Sequence, residues 1–108
     1  MAREQFQTLS EPMYYILLAL LEERCGVDIM DEVARISHGR ISVGPGTLYA
    51  MLPKFESSGM IRQTRQEKRQ KWYVVTEKGR LMLEEEVERL KQMLSDGAET
   101  FAPKKDTD

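Results

Sequence analysis

The chain has 108 residues, of which 41% are hydrophobic and 31% are charged, and its net charge is −2. This length fits one small domain with a modest core, and the hydrophobic fraction excludes a disordered chain. The single cysteine, Cys25, and the single histidine, His38, exclude a disulfide framework and a metal site built from these residue types. The longest apolar run, residues 16–21, is too short to cross a membrane, and the N-terminus lacks an apolar signal region. We therefore expect a cytoplasmic protein without a metal or a cofactor.

Two helices are predicted in the first third of the chain. Ser10 is a typical N-cap, and apolar residues follow it at helical spacing until Gly26 ends the helix. A second helix is predicted over about residues 27–36, and a polar turn follows at 37–39.

A third helix is predicted over residues 45–58, because Pro45 suits a first turn and Gly59 suits a helix end. Its core side carries apolar residues at i, i+4 and i+7, namely Leu48, Leu52 and Phe55. Because Pro53 has no backbone N–H, we expect it to bend or shorten this helix.

The pattern then changes to short β-prone runs at 61–64 and 72–76, which flank a basic loop at 65–71 and predict a hairpin. Thr76 is a candidate N-cap for a fourth helix that continues to about Ser95.

The fourth helix carries an apolar seam at heptad spacing, formed by Leu83, Val87, Leu90 and Leu94. The seam could pack on helix one, which we expect of Leu81 and Met82. We favour a seam that joins two copies of the chain, because a helix of this length needs a partner for its apolar side.

Positive charge is concentrated between Arg40 and Arg80, where nine Lys/Arg and three acidic residues give a net charge of +6. The rest of the chain therefore carries −8, which indicates a basic working surface on an acidic protein. The alternative is a set of scattered, solvated charges.

Three helices, two strands and a further helix are the elements of a winged helix-turn-helix. We therefore predict a mainly α, α+β fold with three helices, a two-stranded wing and a C-terminal dimerisation helix. The DNA-binding domain is placed at residues 10–76 and the dimerisation helix at 77–96, with flexible ends at 1–9 and 97–108.

Double-stranded DNA is the expected partner, because an α-helix fits the major groove and a basic hairpin can neutralise phosphates. The glycine-rich start of helix three also favours an anion. The candidate DNA-binding residues are Ser42, Gly46, Thr47, Tyr49, Ala50, Lys54, Lys68, Arg69 and Lys71. For Tyr49 the alternative is packing against the hairpin.

Two motifs together resemble those of the PadR family of transcriptional regulators. They are Gly46-Thr47-Leu48-Tyr49 and Tyr73-Val74-Val75-Thr76-Glu77-Lys78-Gly79. The resemblance covers about residues 10–94, and the short length is similar to the subfamily with a single C-terminal dimerisation helix.

This resemblance implies a bacterial homodimer that binds a pseudo-palindromic operator, often as a repressor that a small molecule or stress signal releases. It would lie on the nucleoid when bound. Thr47 and Tyr49 match the family's recognition helix, and the basic residues 68, 69 and 71 match its wing.

Trp72 and Tyr15 are candidates for a small-molecule effector pocket, although a tryptophan at the base of a hairpin also suits a core or an interface. The alternative function is a winged-helix adaptor whose basic wing binds an acidic protein. An enzyme is not expected, because the sequence has no nucleophile–base pair, phosphate loop or metal-ligand set.

Overall fold

The computed structural model describes residues 8–103, which form four helices and a three-stranded antiparallel sheet. In chain order the elements are α1 (Glu11–Ala19), β1 (Arg24–Cys25), α2 (Gly26–Ile36), α3 (Pro45–Ser57), β2 (Ile61–Glu67), β3 (Gln70–Val75) and α4 (Glu77–Phe101). The predicted α+β winged-helix class is confirmed. No helix in residues 8–103 is long and apolar enough to cross a membrane.

The first three helices and the sheet enclose one hydrophobic core. Its fully buried side chains include Ile16, Leu17 and Leu20 from the first helical segment, Ile29 and Val33 from α2, and Leu48, Leu52 and Phe55 from α3. The predicted core side of α3 is therefore confirmed. Removing these side chains from water supplies the main stabilisation of a domain this small.

The first helix is shorter than predicted, because the chain leaves it after Ala19 to join the sheet. The carbonyl of Ala19 accepts a hydrogen bond from Arg24 Nε at 2.8 Å, and the carbonyl of Leu20 accepts one from the Val75 N–H at 2.8 Å. These bonds replace the helical partners that both carbonyls lose. The two residues of β1 then pair with β3, which makes the predicted two-stranded wing a three-stranded sheet in the order β1-β3-β2.

The hairpin strands are longer than predicted, and most of the expected basic loop is strand. Pairing continues to Glu67 and Gln70, so only Lys68 and Arg69 form the turn. Lys68 has a φ of 56°, which is the left-handed conformation that two-residue hairpin turns commonly use.

The third helix continues through Pro53 to Ser57, so the expectation that this proline would shorten α3 is wrong. Pro53 is exposed, and its ring therefore needs no space in the core. Phe55 and Leu52 pack in the core on either side of it, and their burial outweighs the single helical bond that a proline removes.

The fourth helix continues to Phe101, so the prediction of a flexible tail from residue 97 is wrong for residues 97–101. Gly97 lies within the helix, where glycine costs only about 1 kcal/mol relative to alanine. The helix ends at Ala102, whose extended backbone suits the residue before Pro103. The rest of the predicted tail, residues 104–108, and residues 1–7 of the predicted N-terminal segment lie outside the described residues.

A close backbone contact joins the start of α4 to the end of α3. Thr76 Oγ1 donates a hydrogen bond to the Gly59 carbonyl at 2.6 Å and accepts one from the Gly79 N–H at 3.1 Å. Gly79 lies so close to Met60 that a Cβ at this position would be 2.1 Å from the Met60 carbonyl oxygen. Glycine is therefore the residue type that permits this contact.

We predict that Gly79→Ala lowers the free energy of unfolding by about 1–3 kcal/mol, because the added methyl group forces backbone apart. The control is Gly97→Ala in the same helix, where a Cβ meets no atom within 4 Å. That variant should gain up to about 1 kcal/mol from helix propensity. Urea denaturation measures both values, and equal effects at the two positions would contradict the contact.

Candidate nucleic-acid interface

The side of α3 opposite Leu48, Leu52 and Phe55 is exposed along the length of the helix, as expected when those three residues face the core. The predicted residues at and before this helix are all exposed in the structure: Ser42, Gly46, Thr47, Tyr49, Ala50 and Lys54. A helix that buries one side so completely presents the other as a continuous surface.

Tyr49 projects from this surface across the start of α2. A Cβ added to Gly26 would lie 2.1 Å from Tyr49 Oη, so the phenol lies directly over the glycine. The residue is still 54% exposed, so the side chain is not enclosed by the domain. The alternative prediction, that Tyr49 is a half-buried aromatic packing on the hairpin, is compatible with this exposure and stays a prediction.

The wing carries three exposed cations next to this surface: Lys68, Arg69 and Lys71. Within residues 8–103, no carboxylate lies within ion-pair distance of any of the three. Their positive charge is therefore available to an external anion.

Arg65, on β2, differs from these cations because it is bound within the wing. Its guanidinium lies 3.8 Å from the centre of the Trp72 ring, and its Nη1 is 2.6 Å from a carboxylate oxygen of Glu67. A second carboxylate, that of Glu23, is 3.8 Å from its Nε. Arg65 therefore stabilises the wing, and its charge is largely neutralised.

A cavity of about 320 Å³ separates α3 from the wing. We call it the notch; its walls include Tyr49, Leu52 and Pro53 of α3, Arg69 and Lys71 of the wing, and Gly26 of α2. Tyr73 of β3 also lines it. Burial, together with the nearby Glu56 carboxylate and the Tyr49 phenol, raises the pKa of Tyr73, so this phenol stays neutral at physiological pH.

Trp72 and Tyr15, the two candidates for an effector pocket, are not brought together. Trp72 is covered on one side of its ring by Arg65. Tyr15 accepts a hydrogen bond from Arg40 at 2.8 Å and lines a separate cavity of about 290 Å³ with Tyr14 and Leu90.

The predicted seam on α4 divides into a buried and an exposed part, with the half-buried Val87 between them. Leu83 is 3% exposed and belongs to the core of its own chain, so its assignment to a dimer interface is wrong. Met82 is buried as expected, whereas Leu81 is half exposed and does not pack on helix one as predicted. Residues 81 and 82 differ because successive positions lie about 100° apart around a helix.

The distal part of α4 exposes a large apolar surface, which we call the distal stripe. It is formed by Leu90, Met93, Leu94 and Phe101. Met93 and Phe101 are not among the residues predicted for the seam. Phe101 continues the heptad spacing beyond Leu94, but the predicted helix end near Ser95 excluded it.

Comparisons with known proteins identify the family. The model of the "Transcriptional regulator PadR-like family" matches residues 16–85. A PadR family transcriptional regulator from Eggerthella lenta is 30% identical, with a TM-score of 0.59 over 79% of this chain and 71% of that chain. No curated protein matches the sequence.

Two further solved structures share the fold. A transcriptional regulator from Clostridium thermocellum is 20% identical, with a TM-score of 0.68 over 83% of this chain and 92% of that one. A PadR-like regulator from Bacillus cereus is 18% identical, with a TM-score of 0.67 over 83% and 89% of the two chains.

We predict that Arg65→Ala lowers the free energy of unfolding by about 0.5–1 kcal/mol, because it removes the cation–π contact and a partly exposed ion pair. Trp72 is the only tryptophan, so its fluorescence reports on the contact and should shift to longer wavelength as water reaches the ring. Arg62→Ala, an exposed arginine on the same strand, is the control and should leave the emission unchanged. An unchanged spectrum in Arg65→Ala would contradict the stacking.

Proposed function

We propose that this chain, which belongs to the PadR-like family of transcriptional regulators, binds double-stranded DNA as a homodimer and acts as a repressor. The observation that carries this proposal is the position of three exposed wing cations, without a carboxylate partner in residues 8–103, next to the exposed side of α3. The two surfaces belong to one rigid unit, because the sheet and α3 share a core. DNA offers matching features, namely a groove that admits a helix and phosphates on either side of it.

In this proposal the exposed start of α3 enters the major groove, and the wing contacts the phosphates beside it. Gly46 and Thr47 lie in the first turn of the helix, where they meet no crowding from the rest of the domain. Lys54 extends the basic surface toward the end of α3. Base contacts from the helix would supply specificity, and the cations would supply most of the affinity.

We propose the distal stripe as the contact between two copies of the chain. The helix has 25 residues and is about 37 Å long, so its distal half extends beyond the core of its own domain. Leu94 is 73% and Phe101 is 90% exposed, which is costly in water and favours burial against an identical stripe. A symmetric dimer would present two copies of α3 to a pseudo-palindromic site, with half-sites about 34 Å apart.

For the small-molecule effector we propose the cavity beside Tyr15 rather than a site at Trp72. This cavity includes Leu90, which belongs to the distal stripe, so a bound ligand would contact the dimer interface directly. The edge-to-face pair of Tyr14 and Tyr15, with ring centres 5.5 Å apart, offers aromatic surface for an apolar or aromatic ligand.

We predict that selection from random duplexes enriches an inverted repeat. The logarithm of the DNA-binding constant falls with the logarithm of the salt concentration. Lys68→Gly and Arg69→Ala should each make this negative slope shallower by about 0.9, because each removes one phosphate contact. Glycine replaces Lys68 because the positive φ at this position would strain alanine.

The control for this experiment is Lys91→Ala, which removes one charge from α4 and should leave the slope unchanged. Unchanged slopes in the two wing variants would contradict the role of the wing. If folded protein enriches no duplex at low salt, the winged-helix adaptor with an acidic protein partner becomes the better proposal.

We predict that Leu90→Asp converts the dimer to a monomer, because it places a charge in an apolar interface. Light scattering measures the mass of the particle. Leu81→Asp is the matched control, since Leu81 is also an exposed leucine of α4 but lies about 180° around the helix from Leu90. If both variants keep the mass of two chains, the distal stripe is not the interface.

A further inference from the structure

We propose that the notch binds one sugar–phosphate unit of the DNA backbone, with Tyr49 and Lys71 on the same phosphate and Gly26 as a positioning residue. This inference rests on the proposed function and names the part of the DNA that the notch would take. It makes the notch one shared site between the recognition helix and the wing.

The chemistry of the walls matches both parts of such a unit. The polar part of the lining consists of the cations Arg69 and Lys71 and the Tyr49 hydroxyl, which are donors for a phosphate oxygen. The apolar part of the lining consists of Val27, Leu52 and Pro53, whose surface suits the carbon face of a deoxyribose. Its volume of about 320 Å³ lies near the lower end of the range for small-ligand sites, about 300–1,000 Å³.

Strand geometry explains why three residues of the hairpin line the notch, namely Arg69, Lys71 and Tyr73. Lys71 and Tyr73 are two positions apart on β3, so both side chains point to the same face of the sheet. Arg69 lies two positions earlier, in the turn, and lines the notch as well. The turn contains only two residues, so the cations are held by paired backbone on both sides.

Gly26 determines where the Tyr49 hydroxyl lies. The phenol oxygen occupies the space that any side chain at position 26 would need, since a Cβ there would be 2.1 Å away. The backbone of Gly26 is that of an ordinary first helical residue, and its φ is not positive. The glycine is therefore required for the space above it and not for its conformation.

The phosphate contact is tested with the selected operator, in which single phosphates are replaced one at a time by uncharged methylphosphonates. In the wild-type protein, replacing the phosphate that the notch binds, one in each half-site, should lower the affinity about tenfold. In Tyr49→Phe and in Lys71→Ala, the cost at that same position should be much smaller. The control variant Lys91→Ala should keep the full cost.

If Tyr49→Phe and Lys71→Ala change the cost at two different phosphates, or at none, the shared site is overturned while DNA binding stands. If the wild-type protein binds no duplex, the proposed function fails as well. Inorganic phosphate and chloride are compared at equal ionic strength. Stronger displacement of DNA by phosphate in the wild type, but not in Lys71→Ala, would reassign the notch to free phosphate and overturn the proposal.

The role of Gly26 is tested with Gly26→Ala in two backgrounds. Alanine suits a helix at least as well as glycine, so the melting temperature should not fall. Affinity for the operator should fall about tenfold when Tyr49 is present, and less than twofold in Tyr49→Ala. Equal losses in both backgrounds, or a lower melting temperature without a loss of affinity, would overturn the positioning role.

Discussion

The arrangement of the molecule depends on the short contact between Thr76 and the end of α3. The Thr76 N–H donates to the Met60 carbonyl at 2.9 Å, and its hydroxyl links Gly59 to Gly79. Lys78 adds a 2.7 Å hydrogen bond from its Nζ to the Ser58 carbonyl at the end of α3. Since these bonds join the end of α3, the base of the hairpin and the start of α4, they set the direction in which α4 leaves the domain. Any dimer built on α4 would inherit that direction, and with it the spacing between two copies of α3.

Close contacts at two glycines shape both the fold and the surface that we propose for DNA. Gly79 admits the Met60 carbonyl, and Gly26 admits the Tyr49 phenol. In both cases a missing side chain lets two elements approach, but the consequences differ. At Gly79 the Met60 carbonyl packs against the backbone of α4, and this contact stabilises the fold. At Gly26 it is a half-exposed phenol over a helix start, and it orders a group that a ligand can reach.

The cations of the protein include two groups, those that form ion pairs with nearby carboxylates and those of the wing that do not. Arg65, Arg35 and Arg89 form ion pairs within residues 8–103 and stabilise the wing and two helices. The hydrogen bond that Arg89 donates to the buried Glu86 carboxylate raises the pKa of that arginine. The same carboxylate accepts a hydrogen bond from the N–H of Leu9. Among the described residues, the cations Lys68, Arg69 and Lys71 of the wing have no carboxylate partner. This difference separates cations with a structural role from cations that are available to a phosphate.

The sequence by itself determined the order of the helices and hairpin, the core side of α3 and the basic character of the wing, because these follow from local periodicity and from residue type. It also indicated the family through the motifs Gly46–Tyr49 and Tyr73–Gly79. Tertiary structure decided the rest. The strand at Arg24–Cys25 forms only because β3 offers a free edge. Leu83 is buried only because the first turns of α4 pack against the core of their own domain. The contact between Gly26 and Tyr49 joins residues 23 positions apart, and no local pattern can predict it, since its cause is the space between two packed helices.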